Sequence, residues 1–340
     1  MRETVTVSEL DLALVNALQL RPRASWTELA PPLGVTASTL ARRWERLTEK
    51  GLAWVYAAPG REFSRTRCTA FVLVRCRPGT RARLAQELCE RAEAVTIELT
   101  GPGSADLLID VLAPDLPALT RFVTTHLEPL PGVIAVDCLF ATSLYVEGSR
   151  WRLRSLDPAQ LSALGRAGAR SSEPAAATVE LDAVDRGLLD ALVGEGRLGL
   201  AELAAHTGTS PATVRRRLHR LTYSGVLTFR CDMADALAGR PLPVSLLGSV
   251  PARDIAAVHR AFAALPECRL VAAVTGRTNI FATLWVRDLG DIQRRETALC
   301  ARLPTLEVTD RIVGLHTVKR MGHLLAEDGS RVGVRPIRPW

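Results

Sequence analysis

The sequence repeats itself. Shifted by 174 positions, residues 11–52 align without a gap on 185–226, and 16 of the 42 positions are identical. The matching set runs through Asp11/Asp185, Leu14/Leu188, Leu18/Leu192, Glu28/Glu202, Leu29/Leu203, Gly34/Gly208, Thr39/Thr213, Arg42/Arg216, Arg43/Arg217, Arg46/Arg220, Leu47/Leu221 and Gly51/Gly225. A fainter echo follows downstream, Leu99-Thr100-Gly101 against Val274-Thr275-Gly276, each ahead of an apolar run. A duplicated unit of about 150 residues constrains everything else, because each local reading must hold twice.

Each copy opens with three helices. Leu10, Leu14, Ala17 and Leu18 share one face of the first, the spacing of an amphipathic helix. Ser25 is placed to cap the second, which carries Leu29 and Ala30 inward. Then Leu33-Gly34-Val35-Thr36 and Thr207-Gly208-Thr209-Ser210 supply a glycine for a tight turn and a hydroxyl to cap the next helix, with Pro211 at the first helical position of the second copy. This is the grammar of a helix-turn-helix. In the third helix Leu40, Trp44 and Leu47, like Val214, Leu218 and Leu221, fall on one face. The opposite face presents Ser38, Thr39, Arg42, Arg43 and Arg46 in one copy and Thr213, Arg215, Arg216, Arg217 and Arg220 in the other, behind the caps Thr36 and Ser210. Short hydroxyl side chains backed by arginines suit a helix in the major groove, where arginine binds guanine edges or phosphates. Double-stranded DNA is the expected partner.

The rest of each copy alternates. Strands are expected at 69–76, 95–100, 106–112 and 133–144 with helices at 80–91 and 116–127; the second copy repeats the order with strands at 243–250, 268–275, 280–286 and 306–317 and helices at 252–265 and 289–302. A βαββαβ order of this size is ferredoxin-like, an antiparallel sheet with helices on one face. The bare face needs a cover, and the other copy is the natural candidate. The fold class is therefore α+β, two copies of a winged or three-helix helix-turn-helix domain, its helices followed by a short strand, each copy continuing into a ferredoxin-like βαββαβ ligand-sensing domain. The expected domains are 1–60, 61–150, a short helix and linker over 151–178, then 179–238, 239–326 and a tail 327–340. Asp157-Pro158 with Leu161 and Leu164 marks the short helix, and the Gly-, Ser- and Ala-rich 165–178 reads as linker.

Composition closes off other classes. With 47% hydrophobic and 23% charged residues the chain is an ordinary globular one, and no stretch approaches the roughly 20 apolar residues of a membrane span. A cytoplasmic, nucleoid-associated protein with no membrane partner is expected. The net charge of +7 fits a polyanionic partner. Seven cysteines, widely spaced and without a C-x-x-C pair, read as reduced core thiols. Six histidines show no paired ligand spacing. Gly194-Glu195-Gly196-Arg197-Leu198-Gly199 matches the dinucleotide fingerprint in letters only, since no strand precedes it. No metal, no cofactor and no catalytic constellation is expected, so the chain is not read as an enzyme.

On the residues Leu10-Asp11 with Leu14 and Leu18, the turn and helix Thr36 to Leu47 with Gly51, and the two Thr-Gly steps, the sequence resembles the Lrp/AsnC (feast/famine) family of bacterial transcription regulators. The resemblance covers nearly the whole chain, twice. It implies that the third helix reads DNA, that the βαββαβ (RAM-type) domain pairs subunits, and that a small effector, an amino acid or related metabolite, binds around the loop after the Thr-Gly. In this sequence those loop residues are Gly101, Ser104 and Asp106, and Gly276, Thr278 and Asn279. Where the family has an aspartate three residues past that glycine, Ser104 and Asn279 stand instead. The duplication further implies an intramolecular pseudo-dimer, with homo-oligomers built on it. Two rival readings share the fold: a siroheme-decarboxylase-like enzyme, for which histidine is expected near the second strand but is absent from 95–106 and 268–281, and a sensor or scaffold whose DNA binding is vestigial.

Overall fold

The computed structural model describes residues 7–168 and 180–340. In chain order the first copy forms α1 (Glu9–Leu20), α2 (Trp26–Leu33), α3 (Ala37–Glu49), β1 (Ala53–Pro59), α4 (Arg61–Arg65), β2 (Cys68–Cys76), α5 (Arg81–Cys89), β3 (Ala94–Thr100), β4 (Leu107–Ala113), α6 (Leu116–Arg121), which runs on as a π-helical turn, and β5 (Val133–Val146). After α7 (Pro158–Gly168) the second copy forms α8 (Ala183–Gly194), α9 (Leu200–Thr207), α10 (Pro211–Tyr223), β6 (Leu227–Met233), β7 (Leu242–Ser249), α11 (Ile255–Ala263), β8 (Cys268–Val274), β9 (Ile280–Val286), α12 (Leu289–Arg302) and β10 (Glu307–Arg320), followed by β11 (His323–Leu325) and β12 (Arg331–Val334). The expected order is present in both copies. The linker read over 165–178 starts later than expected, because α7 continues to Gly168; residues 169–179 lie outside the described residues.

The chain divides into two compact units, one of residues up to Glu62 with Arg152–Ala238, the other of Phe63–Trp151 with Gly239–Trp340. The first unit holds both helix-turn-helix heads. Reciprocal capping boxes start α1 (Ser8 with Asp11), α2 (Ser25 with Glu28) and α8 (Asp182 with Asp185), satisfying N–H groups that a helix start leaves without partners. Gly34 and Gly208 end the second helices at φ +67° and +63°, the left-handed conformation the sharp turn demands. Leu14, Leu18, Leu29, Leu40, Trp44 and Leu47 are buried, as are Leu188, Leu192, Leu203, Val214, Leu218 and Leu221. The strands that follow do not fold back as separate wings. β1 pairs antiparallel with β6 along its whole length, from Ala53 opposite Met233 to Pro59 opposite Leu227. α1 packs on β6 and α8 on β1, so Cys231 and Met233 join the apolar core of Leu14 and Leu47.

The second unit holds the two βαββαβ halves. On one face of β2, β3 and β4 the helices α5 and α6 bury Val72, Ile97 and Ile109, and α11 and α12 do the same for Leu246, Val271 and Ala282. The two 14-residue strands carry the pairing across. β5 runs along β2 up to Phe140 and then along β8 from Ala141; β10 runs along β7 up to Val313 and then along β3 from Gly314. The halves thereby close on each other. The faces away from the helices form a shared core of Phe71, Leu73, Leu108, Leu139, Leu247, Ala272, Phe281 and Ile312, with the Phe71 and Phe281 rings stacked 4.0 Å apart. The cover expected for each bare sheet is the other copy of the same chain.

Candidate nucleic-acid interface and effector cleft

The third helix of each head is set by its cap. Thr36 Oγ1 accepts from the Thr39 N–H at 3.2 Å and Ser210 Oγ from the Thr213 N–H at 3.1 Å. Thr36 also lies 3.0 Å from the Ser38 hydroxyl and 2.9 Å from that of Thr39, and Ser210 bonds Thr213 at 3.0 Å. These hydroxyls therefore form a small ordered cluster at the tip of each helix. Ser38, Arg42, Glu45 and Glu49 are exposed on α3; Ala212, Arg215, Arg216, His219 and Tyr223 are exposed on α10. His219 and Tyr223 stack with centroids 6.0 Å apart, beside a face expected to carry Thr213 and the arginines but no aromatic side chain. Their i, i+4 spacing was the available signal.

Four of the arginines placed on the free face by helical periodicity are turned back into the heads. Arg43 Nη1 donates to Asp11 Oδ1 at 3.0 Å and Arg46 Nη2 to Asp11 Oδ2 at 2.7 Å. In the second copy Arg217 bonds Asp185 at 3.0 Å and Asp182 at 2.7 Å, and Arg220 bonds the other Asp185 oxygen. Asp11 and Asp185 are fully buried, whereas the Arg46 and Arg220 side chains remain 45% and 46% exposed. Burial works to raise the pKa of Asp11, but the Ser8 backbone and hydroxyl, Arg43 and Arg46 outweigh it and hold the carboxyl below its ordinary value. Arg217 is pushed up by its bonds to Asp182 and Asp185. The third helix of each head is thus clamped to the first by one carboxylate and two guanidiniums. Among the described residues, Arg42, Arg215 and Arg216 make no ion pair, and they are the side chains left free to reach outward.

In the second unit a cleft of about 960 Å³ lies between the halves. Ser104, Gly276 and Thr278 line it; Gly101, Asp106 and Asn279, expected beside them, do not. The reason is backbone commitment. The Gly101 N–H donates to Val313 O at 2.8 Å, the Asp106 carboxylate accepts the Cys76 N–H at 2.7 Å, and the Asn279 amide bridges the N–H and carbonyl of Val250 at 3.0 and 2.8 Å. Asp106 is therefore no substitute for the missing loop aspartate. The charges come from elsewhere: Arg75 and Asp137 from the first half, Arg277 and Asp310 from the second. None of the four makes a salt bridge among the described residues. Asp137 stands opposite Leu73 and Asp310 opposite Leu247, so the cleft straddles the approximate two-fold relating the halves. Thr278 is buried and its hydroxyl has no hydrogen-bond partner among the described residues.

Other chemistry is thin. All seven cysteines are free, and burial pushes the thiols of Cys76 and Cys138 up to about 11 and that of Cys268 to about 12, which keeps them protonated and unreactive. Among the described residues no group of three or more His, Cys, Asp or Glu is placed to hold a metal, and no helix is long and apolar enough to cross a membrane.

Fold and site together define a double helix-turn-helix protein carrying a paired α+β ligand-binding unit. The AsnC-type helix-turn-helix domain matches residues 7–48 and again 181–222, and the Lrp/AsnC ligand binding domain matches 69–151. The chain belongs to the Lrp/AsnC family, in a tandem-duplicated form. It is 28% identical over 151 residues to an uncharacterized HTH-type transcriptional regulator of Pyrococcus horikoshii, covering 44% of this chain and 95% of that protein. It is 29% identical over 116 residues to the regulatory protein AsnC of Escherichia coli K12, covering 33% of this chain and 76% of that one. In structure it is similar along nearly its full length to the siroheme decarboxylase NirDL, with a TM-score of 0.60, 13% identity, and coverage of 92% of this chain and 93% of that one; at that identity the likeness concerns the fold.

Proposed function

We propose that this chain is a ligand-modulated DNA-binding transcription regulator in which α3 and α10 read two half-sites of one operator and the cleft between the paired sheets takes the effector. The observation that carries the reading is the pair of capped third helices, each clamped from behind by a buried aspartate and each presenting hydroxyls and unpaired arginine outward. Thr36, Ser38, Thr39 and Arg42, and Ser210, Thr213, Arg215 and Arg216, are assigned to base and phosphate contact, with Arg43, Arg46, Arg217 and Arg220 as clamps whose exposed edges face phosphate. The operator is expected to be an imperfect inverted repeat, because Ser38 is matched by Ala212 and Ala41 by Arg215. Footprinting of the full chain on genomic DNA tests this; protection of one isolated half-site, or of direct repeats alone, overturns it.

For the effector, two carboxylates, two guanidiniums and an unpartnered buried hydroxyl favour a small molecule bearing both a cationic and an anionic group, an amino acid or related metabolite. Calorimetric titration with the common amino acids should find a binder whose affinity falls at least tenfold in Arg277→Ala. The enzyme reading rests on the shared fold with siroheme decarboxylase; against it, no histidine lines the cleft. Mixing with siroheme and following visible absorbance separates them: a tight complex whose tetrapyrrole side chains release carbon dioxide and take up protons in its place would overturn the regulator reading.

A further inference from the structure

The letters of the G-x-G-x-x-G segment turn out to build a joint between the two heads. Arg197, within that segment, donates from Nη1 to Pro22 O at 2.6 Å and from Nη2 to Ala24 O at 2.9 Å. Arg23 stands at the same place in the first copy, 174 residues earlier, and returns the contact, bonding Leu198 O at 2.9 Å and Gly196 O. Each guanidinium also lies over a ring of the opposite copy, Arg197 over Trp26 at 4.1 Å and Arg23 over Phe229 at 5.3 Å. Burial, and then the neighbouring Arg23, push Arg197 down to about 10, as expected of two guanidiniums set close together away from water. Gly196 donates its N–H to Val55 O at 2.7 Å, and a Cβ there would stand 2.7 Å from the Tyr56 nitrogen, so only glycine lets the loop reach β1. The β1–β6 ribbon and the Tyr56 hydroxyl bonded to Asp232 at 2.8 Å complete the joint.

We infer that Arg23 and Arg197 are positioning residues that fix the vector between α3 and α10, so that one chain accepts two half-sites at a single spacing. The planar fork is suited to this, since it ties two carbonyls of the other head at once and resists both sliding and rotation. Heads on independent tethers would tolerate insertions between half-sites with only the slow entropy loss of a longer loop. Heads in one block cannot follow.

The inference rests on the DNA-reading assignment above, and the test separates the two. A duplex selected by the full chain from a random library is rebuilt with insertions of 1 to 10 base pairs between its half-sites. Wild type should lose at least tenfold in affinity at an insertion of five, and insertion of a full helical turn of about 10 base pairs should not restore it. Arg23→Ala/Arg197→Ala should flatten that profile to threefold or less while leaving single half-site affinity and salt dependence unchanged, with folding checked by circular dichroism. Arg23→Lys/Arg197→Lys keeps charge and loses the fork, and should flatten it too; it decides the matter where the alanine pair fails to fold. Failure of the wild type to select any duplex overturns both readings. Selection without spacing preference, an alanine pair that keeps the wild-type profile, or a lysine pair that behaves as wild type, overturns this one alone.

Discussion

Along one turn of the third helix the first copy places Glu45 and Glu49 where the second places His219 and Tyr223. Both heads keep the same capped, clamped skeleton, so the difference is confined to the outward stripe. On α3 a single free Arg42 works beside two carboxylates, a surface that repels phosphate except where a specific contact offsets the repulsion. On α10 Arg215 and Arg216 stand with no acid among the exposed residues of the helix. Under the DNA-reading role proposed above, duplication would let two tasks be separated that an identical pair of heads must share: the second head is expected to supply general attraction to the DNA backbone, and the first to discriminate. The inner faces of the sheets diverge in the same way: Asp110 on β4 of the first half stands opposite Phe71, whereas its counterpart Thr283 on β9 of the second stands opposite Ser245, two residues along the strand from Phe281.

The clamps offer the largest effect. Arg217→Ala/Arg220→Ala strands the buried Asp185 beside the like-charged Asp182 and should lower stability by about 3 to 5 kcal/mol in urea unfolding. Arg43→Ala/Arg46→Ala should cost about 1 kcal/mol less, since Ser8 still gives Asp11 its N–H at 2.9 Å and its hydroxyl at 2.8 Å. Equal losses would show that the two clamps are interchangeable. Because the folded-state pKa of Asp11 is depressed, its contribution is present above the unfolded value of about 3.9 and lost as pH falls below about 4.

Next comes the division of labour on DNA. Arg215→Ala/Arg216→Ala should reduce the slope of log affinity against log salt by up to about 2 units and weaken all sequences alike. Arg42→Ala should change that slope by less than about 1 and relax preference at one base pair by about 1 to 3 kcal/mol. A titration on operator and random duplexes reads both, and the reverse pattern would exchange the roles of the heads.

A third effect sits in the sheets. Burial first, and then the nearby Glu98, raise Asp110 to about 7, against a partial lowering by Thr96. The folded state then holds a proton that the unfolded state releases above about 3.9, so stability should decline as pH rises from about 4 to 7 and level off above. Asp110→Thr, which copies the second half, should remove the decline and gain about 2 kcal/mol at pH 8, read from chemical unfolding at a series of pH values. The smallest change is the exchange Glu45→His with His219→Glu, which should alter the ratio of non-specific affinities of singly disabled heads only severalfold at low salt, an exposed-charge effect worth about 1 kcal/mol or less.

Much of this was legible in the residues. The repeat, the turn glycines Gly34 and Gly208, the caps Thr36 and Ser210 and the βαββαβ order are local signals, and the structure carries each of them. Long-range pairings were not. Asp11 and Asp185 stood out as identical positions, but nothing local says that each meets arginines 32 and 35 residues away. Asp137 and Asp310 escaped for a different reason: small length changes move the offset between copies from 174 in the heads to 173 at β5 and β10, and only strand register, Leu73 opposite Asp137 and Leu247 opposite Asp310, reveals the equivalence. Gly196 matched a phosphate-binding pattern because close backbone approach needs glycine whichever partner approaches.

The cleft across the approximate two-fold has one more consequence. In a dimer of identical chains a substitution on the axis enters twice, and a lopsided ligand lying there has two equivalent ways round. Here Ser104 faces the cleft from one half and Arg277 from the other, each encoded once. A single mutation can therefore tune one wall and leave its counterpart untouched, and a bound molecule acquires a head end and a tail end. For the effector proposed above, fusion makes the seat an oriented one, and a lopsided occupant would have a single direction in which to sit.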